Sequence, residues 1–178
     1  MLTLQAKLIP AASRLIIRLP GEISLGLPSR GIIMIAGKMN EQPFQTVLEP
    51  DGLGSHWFSV DKTLLEAVQA EACDTVTLFF HPSNNWIEPV IPADFKKTLQ
   101  STGQVWSLWQ KLNPRDRWDW VRWVRSAKQE KTRAARITAA CDMLQNGKKR
   151  PCCFNRTLCT VPDVSHNGVM DIPACLEK

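Results

Sequence analysis

Residues 42–60, Gln-Pro-Phe-Gln-Thr-Val-Leu-Glu-Pro-Asp-Gly-Leu-Gly-Ser-His-Trp-Phe-Ser-Val, decide the reading of the fold. Gln42–Glu49 alternates apolar and polar residues, as a half-buried strand does. Asp51-Gly52 is a turn signal, and Ser55–Val60 has the aromatic and β-branched content of a second strand. Gly52-Leu53-Gly54 lies between two strands, so it reads as a hairpin turn and not as a phosphate cradle. Upstream, residues 31–39 (Gly-Ile-Ile-Met-Ile-Ala-Gly-Lys-Met), 14–19 (closed by Pro20-Gly21) and 2–9 repeat the pattern. Downstream, Asp61 is a candidate N-cap, and Leu64, Leu65 and Val68 give one buried helical face. The sheet resumes at Thr75–Phe80 and is expected to end near Ile87–Ile91. Short strands at this spacing predict a small closed β-barrel with one inserted helix.

Pro89 and Pro92 mark a boundary, after which the apolar period changes from 2 to 3.6. A short helix over 94–100 is expected with Asp94 as its cap, then one over 103–112 carrying Val105, Trp106, Leu108, Trp109 and Leu112. Asn113-Pro114 is an N-cap followed by proline at the first helical position. That helix is expected to run to about Gln129, and another from about Glu130 to Gln145, stopped by Asn146-Gly147. The predicted class is α+β: a barrel over 1–92, a Trp- and Arg-rich helical region over 93–150, and a Cys-containing tail over 151–178 that is loop or disordered.

The chain has 178 residues, 44% hydrophobic and 22% charged, enough apolar content for a core and against global disorder. No apolar run approaches the roughly 20 residues that span a bilayer. Met1–Lys7 alternates and lacks the pattern of a signal peptide, so the cytoplasm and reduced thiols are expected. Net charge is +5. Residues 111–156 carry +9 and the remainder −4. Such asymmetry marks either an anionic partner or solvated helix faces.

Two stretches carry a resemblance. The first comprises Pro43–Leu48, Gly52–Phe58, Asp74–Leu78 and Trp86–Pro92. The second comprises Arg117-Trp118-Asp119-Trp120-Val121-Arg122-Trp123-Val124, Ala127-Lys128, Glu130, Thr132-Arg133, Arg136-Ile137 and Gly147–Cys153. Together they resemble the YdeI/OmpD-associated, bacteriocin-protection family, whose usual N-terminal partner is a small β-barrel domain of unknown function. The resemblance covers roughly residues 2–154. It implies a closed barrel followed by a helical domain, and a role in tolerance to bacteriocins or cationic antimicrobial peptides. It brings no catalytic residues. Cys73 stands where the family often has glycine in a Gly-Asp turn; if that turn needs positive φ, Cys73 adds strain.

Several constellations are candidates for function. Trp120, Trp123, Val124 and Ala127 share a face that reads as core. Trp118, one turn from Arg122 and two from Arg125, together with Lys128, Lys131, Arg133, Arg136 and Lys148-Lys149-Arg150, forms a candidate polyanion or nucleic-acid surface. His56 and Trp57, with His81, are candidates for a ligand site at the barrel mouth. A His56/His81 pair with Asp74 is conceivable, although no GxSxG, P-loop, GxGxxG or HExxH pattern occurs. Cys152-Cys153 is a vicinal thiol pair, with Cys159, His166 and Cys175 downstream. Without CxxC or HxxxH the spacing does not make a specific zinc signal, so the pair reads first as non-functional thiols, with a redox-active pair activated by Lys148, Lys149 and Arg150, or a metal site, as alternatives; no metal or cofactor is expected. The leading expectation is a non-enzymatic binding protein with a protein or polyanion partner. The alternatives are a nucleic-acid or polyanion binder and a small-ligand or enzymatic barrel.

Overall fold

The computed structural model describes residues 1–172. Contacts group the chain into two compact units. The first comprises Met1–Asn85, Arg156–Cys159 and the described residues from Asp163; the second comprises Trp86–Asn155 and Thr160–Pro162.

In the first unit the strands are β1 (Leu2–Lys7), β2 (Ile9–Ala11), β3 (Arg14–Arg18), β4 (Ile33–Met39), β5 (Gln42–Pro50), β6 (His56–Val60) and β7 (Thr75–Pro82). They form one antiparallel sheet in the order β1-β7-β4-β5-β6-β3-β2. The expectation of a closed barrel is corrected here. The sheet is curled but open, with β1 at one end and β2 at the other. The reason lies in the chain itself: β1 and β2 are consecutive, separated only by Leu8, and cannot pair with each other. One takes β7 as its partner and the other β3. Leu8 is fully buried at this bend, donating its N–H to Asp74 O and accepting from Cys73 N–H.

Alternation puts Val76, Leu78 and Phe80 of β7 into a core shared with Ile17, Leu19, Ile33, Ile35, Leu48 and Phe58. Each such side chain contributes about 1.5–3 kcal/mol on leaving water. At Gly37 the backbones of β4 and β7 come so close that a Cβ would stand 1.9 Å from Phe79 O, so only glycine fits.

Two helices interrupt the strands, where one was expected. The additional one, α1 (Gly21–Leu25), is too short to show a period. The expected one is α2 (Lys62–Val68), whose first turn is capped by Asp61 accepting from Leu64 N–H at 2.8 Å. Cys73 has φ +72°, so the turn before β7 does take the left-handed conformation that glycine favours.

The tail contributes a hairpin to this unit, β8 (Ser165–His166) with β9 (Val169–Met170). Its turn residues Asn167 and Gly168 both have positive φ, as the tightest hairpins require. Met170 N–H donates to Asp51 O at 2.7 Å. A Cβ at Gly52, itself at φ +78°, would lie 2.1 Å from Gly168 O.

The second unit is helical: α3 (Ala93–Ser101), α4 (Val105–Lys111), α5 (Pro114–Arg125) and α6 (Glu130–Gln145). Asn113 caps α5 by accepting from Asp116 N–H, with Pro114 directly behind it. Three local expectations are corrected. Residues 83–92 form no strand, because Pro89 and Pro92 bring no ladder donors. Asp94 lies inside the first turn of α3 and not at its cap. Helix α5 ends at Arg125, before Gln129, with Ser126 as its C-cap. The core of this unit is Phe95, Leu99, Val105, Trp109, Trp120, Val121, Val124, Ile137, Ala140, Cys141 and Leu144. Trp109 meets Phe95 edge-on at 5.4 Å between ring centroids, and Trp120 meets Trp123 at 6.0 Å. Among the described residues no helix is long and apolar enough to cross a membrane.

Candidate functional site

The loop before β6 is built around Asp51. One carboxylate oxygen accepts from Leu53 N–H at 2.7 Å and Ser55 N–H at 2.8 Å, closing residues 51–55 into a turn. The other accepts a fork from Arg18, Nε at 2.9 Å and a terminal nitrogen at 2.7 Å. Ser55 Oγ donates to Leu19 O. The result is a rigid entry that aims His56 inward, where it is 1% exposed.

His56 Nε2 lies 2.9 Å from Gly31 O and Nδ1 lies 2.6 Å from Ser24 Oγ. A carbonyl can only accept, so Nε2 carries the proton, and Ser24 donates its hydroxyl hydrogen to Nδ1. Arg30 adds bonds to Ser24 O and to Gly54 O. The imidazole thus ties α1, the Ser29–Gly31 loop and β6 together. The serine–histidine geometry is that of an activated pair, but Ser24 is 0% exposed and no reactant can reach it.

His56, Trp57 and His81 do not assemble into one ligand site. Trp57 is buried. His81 is exposed at the end of β7, and its Nδ1 donates to Pro82 O at 3.0 Å. Asp74 does not join a triad, because its carboxylate accepts from Glu71 N–H at 2.7 Å in the turn before β7. A groove of about 660 Å³ in this unit lies away from these residues, lined by Ala36, Gly37, Pro43, Phe44, Leu64 and Ala67, with Asp61 and Thr63 beside them.

In the helical unit most of the candidate cations are already occupied. Trp118 is half-buried and donates its indole N–H to Ile87 O at 2.9 Å. Arg122 is 0% exposed, 3.8 Å from Asp119, with its guanidinium over the Phe154 ring. Arg125 donates twice to Thr160 Oγ1, at 2.9 and 2.8 Å. Arg133 forms a two-pronged bond to Asp94, at 2.6 and 2.8 Å. That pairing holds the Asp94 carboxyl below its ordinary range and raises Arg133. Arg136 donates to Trp123 O and Ser126 Oγ and lies over the Trp123 ring, and burial lowers its pKa. Arg150 bonds Asp116, with Asp119 at 3.7 Å, and Trp120 Nε1 donates to Lys149 O. The expected surface around Arg122 and Arg125 is therefore not contiguous: Arg122 is inside and the other arginines act as internal braces. Lys128, Lys131, Lys148 and Lys149 are exposed.

Cys152 and Cys153 are exposed free thiols, Cys153 with φ +53°. Cys141 and Cys159 are buried, and burial pushes the Cys141 thiol up. His166 pairs with Asp171 at 3.1 Å. Cys175 lies outside the described residues. Among the described residues no group of three His, Cys, Asp or Glu side chains is arranged to hold a metal.

The α3–α6 segment, with its Asp94–Arg133 brace and buried Arg122, is also the part with a recognisable family. Residues 88–147 match the family described as bacteriocin-protection, YdeI or OmpD-associated. That segment is similar to the YdeI/OmpD-associated domain. Residues 5–80, running from within β1 to within β7, match a domain of unknown function, DUF1905. A search of curated proteins finds no match. The matched segment contains Asp94, Asp119, Arg122, Arg133 and Arg136, all of them engaged in internal contacts. Sequence reading missed Ser24 and Gly31 as the partners of His56, since they lie 32 and 25 residues away and carry no motif.

Proposed function

We propose that this protein acts by binding and not by catalysis, and that it contributes to protection against bacteriocins. The family of residues 88–147 supports the protective role. The observation that carries the non-catalytic part is the state of His56. The one histidine set beside a hydroxyl nucleophile is sealed in the interior and spends both ring nitrogens on structural partners. The helical unit supports the same reading, because its arginines stiffen the bundle. An anion-binding surface would need those guanidinium groups free, and here carboxylates, carbonyls and a hydroxyl hold them.

Survival of the source bacterium under a panel of purified bacteriocins and cationic peptides tests the role. Deleting the gene is expected to lower survival to at least one member of the panel, and supplying the full chain is expected to restore it. Equal survival of deleted and complemented strains across the panel contradicts the reading.

A further inference from the structure

We propose that Met143, Cys152 and Cys153 form a sulfur site for a soft monovalent metal ion, copper(I) in class. Cys152 Sγ stands 3.6 Å from Met143 Sδ. Two sulfurs bound at about 2.3 Å to one ion in a trigonal, three-sulfur shell stand about 4.0 Å apart, so the pair needs to part by only a few tenths of an ångström to admit the ion. Met143 is held for this contact: it projects from the last turns of α6 and packs against the core of the helical unit. The chain then turns at Gly147, φ +75°, and Trp120 Nε1 and Asp116 fix Lys149 and Arg150 on α5. Those bonds return Cys152 to within reach of the thioether. Cys153 follows in the same exposed turn and supplies the third sulfur.

The donor set selects the ion. Thioether and thiolate together suit copper(I), whereas zinc prefers thiolate, imidazole or carboxylate. No third ligand of that kind is arranged beside the two cysteines among the described residues. Adjacent cysteines fit poorly around a closed tetrahedral ion, but a low-coordinate ion does not ask for that geometry. On binding, each cysteine gives its proton to solvent and forms a sulfur–metal bond, with no change of oxidation state. Two thiolates, one thioether and one monovalent cation leave a single negative charge beside the exposed Lys148 and Lys149. This site is independent of the protective role proposed above.

Anaerobic titration of the reduced full chain with copper(I), in competition with a chromogenic copper(I) chelator, tests the assignment. One copper per chain is expected, with a sulfur-only shell by X-ray absorption. Cys152→Ser is expected to abolish binding. Met143→Leu, which conserves volume, is expected to weaken it by at least roughly tenfold, a loss that even supporting residues of metal sites produce. Cys73→Ser and Cys175→Ser are expected to leave it unchanged, and circular dichroism checks that each variant is folded. Complete retention of copper by the chelator would overturn the proposal. So would wild-type binding by folded Cys152→Ser or Met143→Leu, or nitrogen donors in the metal shell.

Discussion

The Nδ1 atom of His56 accepts the hydroxyl hydrogen of Ser24 across 2.6 Å, in a place that neither water nor substrate reaches. That relationship separates a structural pair from a catalytic one. A nucleophile needs an approach path, and a buried donor–acceptor pair needs only to stay satisfied. Ser24→Ala removes the donor and is expected to destabilise the protein by about 1–3 kcal/mol, the cost of a buried polar group that loses its partner. Urea unfolding measures it. A loss below about 0.5 kcal/mol would place this interaction among ordinary surface contacts.

The arginines of the helical unit divide by burial. Arg122→Ala leaves Asp119 short of a buried countercharge and is expected to cost about 3–5 kcal/mol. Arg133→Ala removes a pair whose partner Asp94 is 48% exposed and is expected to cost less than about 1 kcal/mol. Denaturant unfolding of the two variants gives the comparison. Equal losses would contradict the division into buried and part-exposed braces.

Asp94 makes the acid side of stability testable. Hydrogen bonding from Arg133 is the main cause that holds its carboxyl below the ordinary 3.8. A group with a depressed folded-state pKa stabilises above its unfolded value, and that stabilisation is lost as pH falls through the folded value. The wild type is therefore expected to exceed Asp94→Asn in stability at neutral pH by less than about 1 kcal/mol. The gap should close as pH drops below 3.8. Unfolding curves of both proteins through that range check the sign. A gap that widens on acidification would contradict it.

Thiol labelling is expected to fall into two classes. Cys73, Cys152 and Cys153 are exposed and should react with iodoacetamide in the native protein. Cys159 and Cys141 are buried, and Cys141 is further disfavoured because burial raises its pKa, leaving less thiolate. Mass spectrometry of peptides after timed labelling resolves each site. Rapid native labelling of Cys141 would show that α6 opens readily.

Much of this architecture is legible in local chemistry. Asp61 and Asn113-Pro114 announce two helix starts because a cap is a short-range event, three residues long. The left-handed turn at Cys73 is legible only through the resemblance, which places glycine there. Open versus closed topology is not local: it depends on β1 and β2 taking different partners on either side of Leu8. Helix α1 is too short to leave a periodic signal. The charge count in residues 111–156 likewise says nothing about occupancy. Arg133 finds Asp94 from 39 residues away and Arg150 finds Asp116 from 34, so a basic segment becomes a set of internal braces. The hairpin at Asn167-Gly168 shows a turn signal, but its two-residue strands are too short to alternate visibly.

The claim that protection works without catalysis is tested most directly on the toxin. Cells producing graded amounts of the full chain are challenged with a bacteriocin against which it protects, and the toxin is recovered and weighed by mass spectrometry. Binding predicts survival that rises with the amount of chain and toxin recovered at its original mass. Cleaved or covalently altered toxin, accumulating in excess over the chain present, would contradict the account.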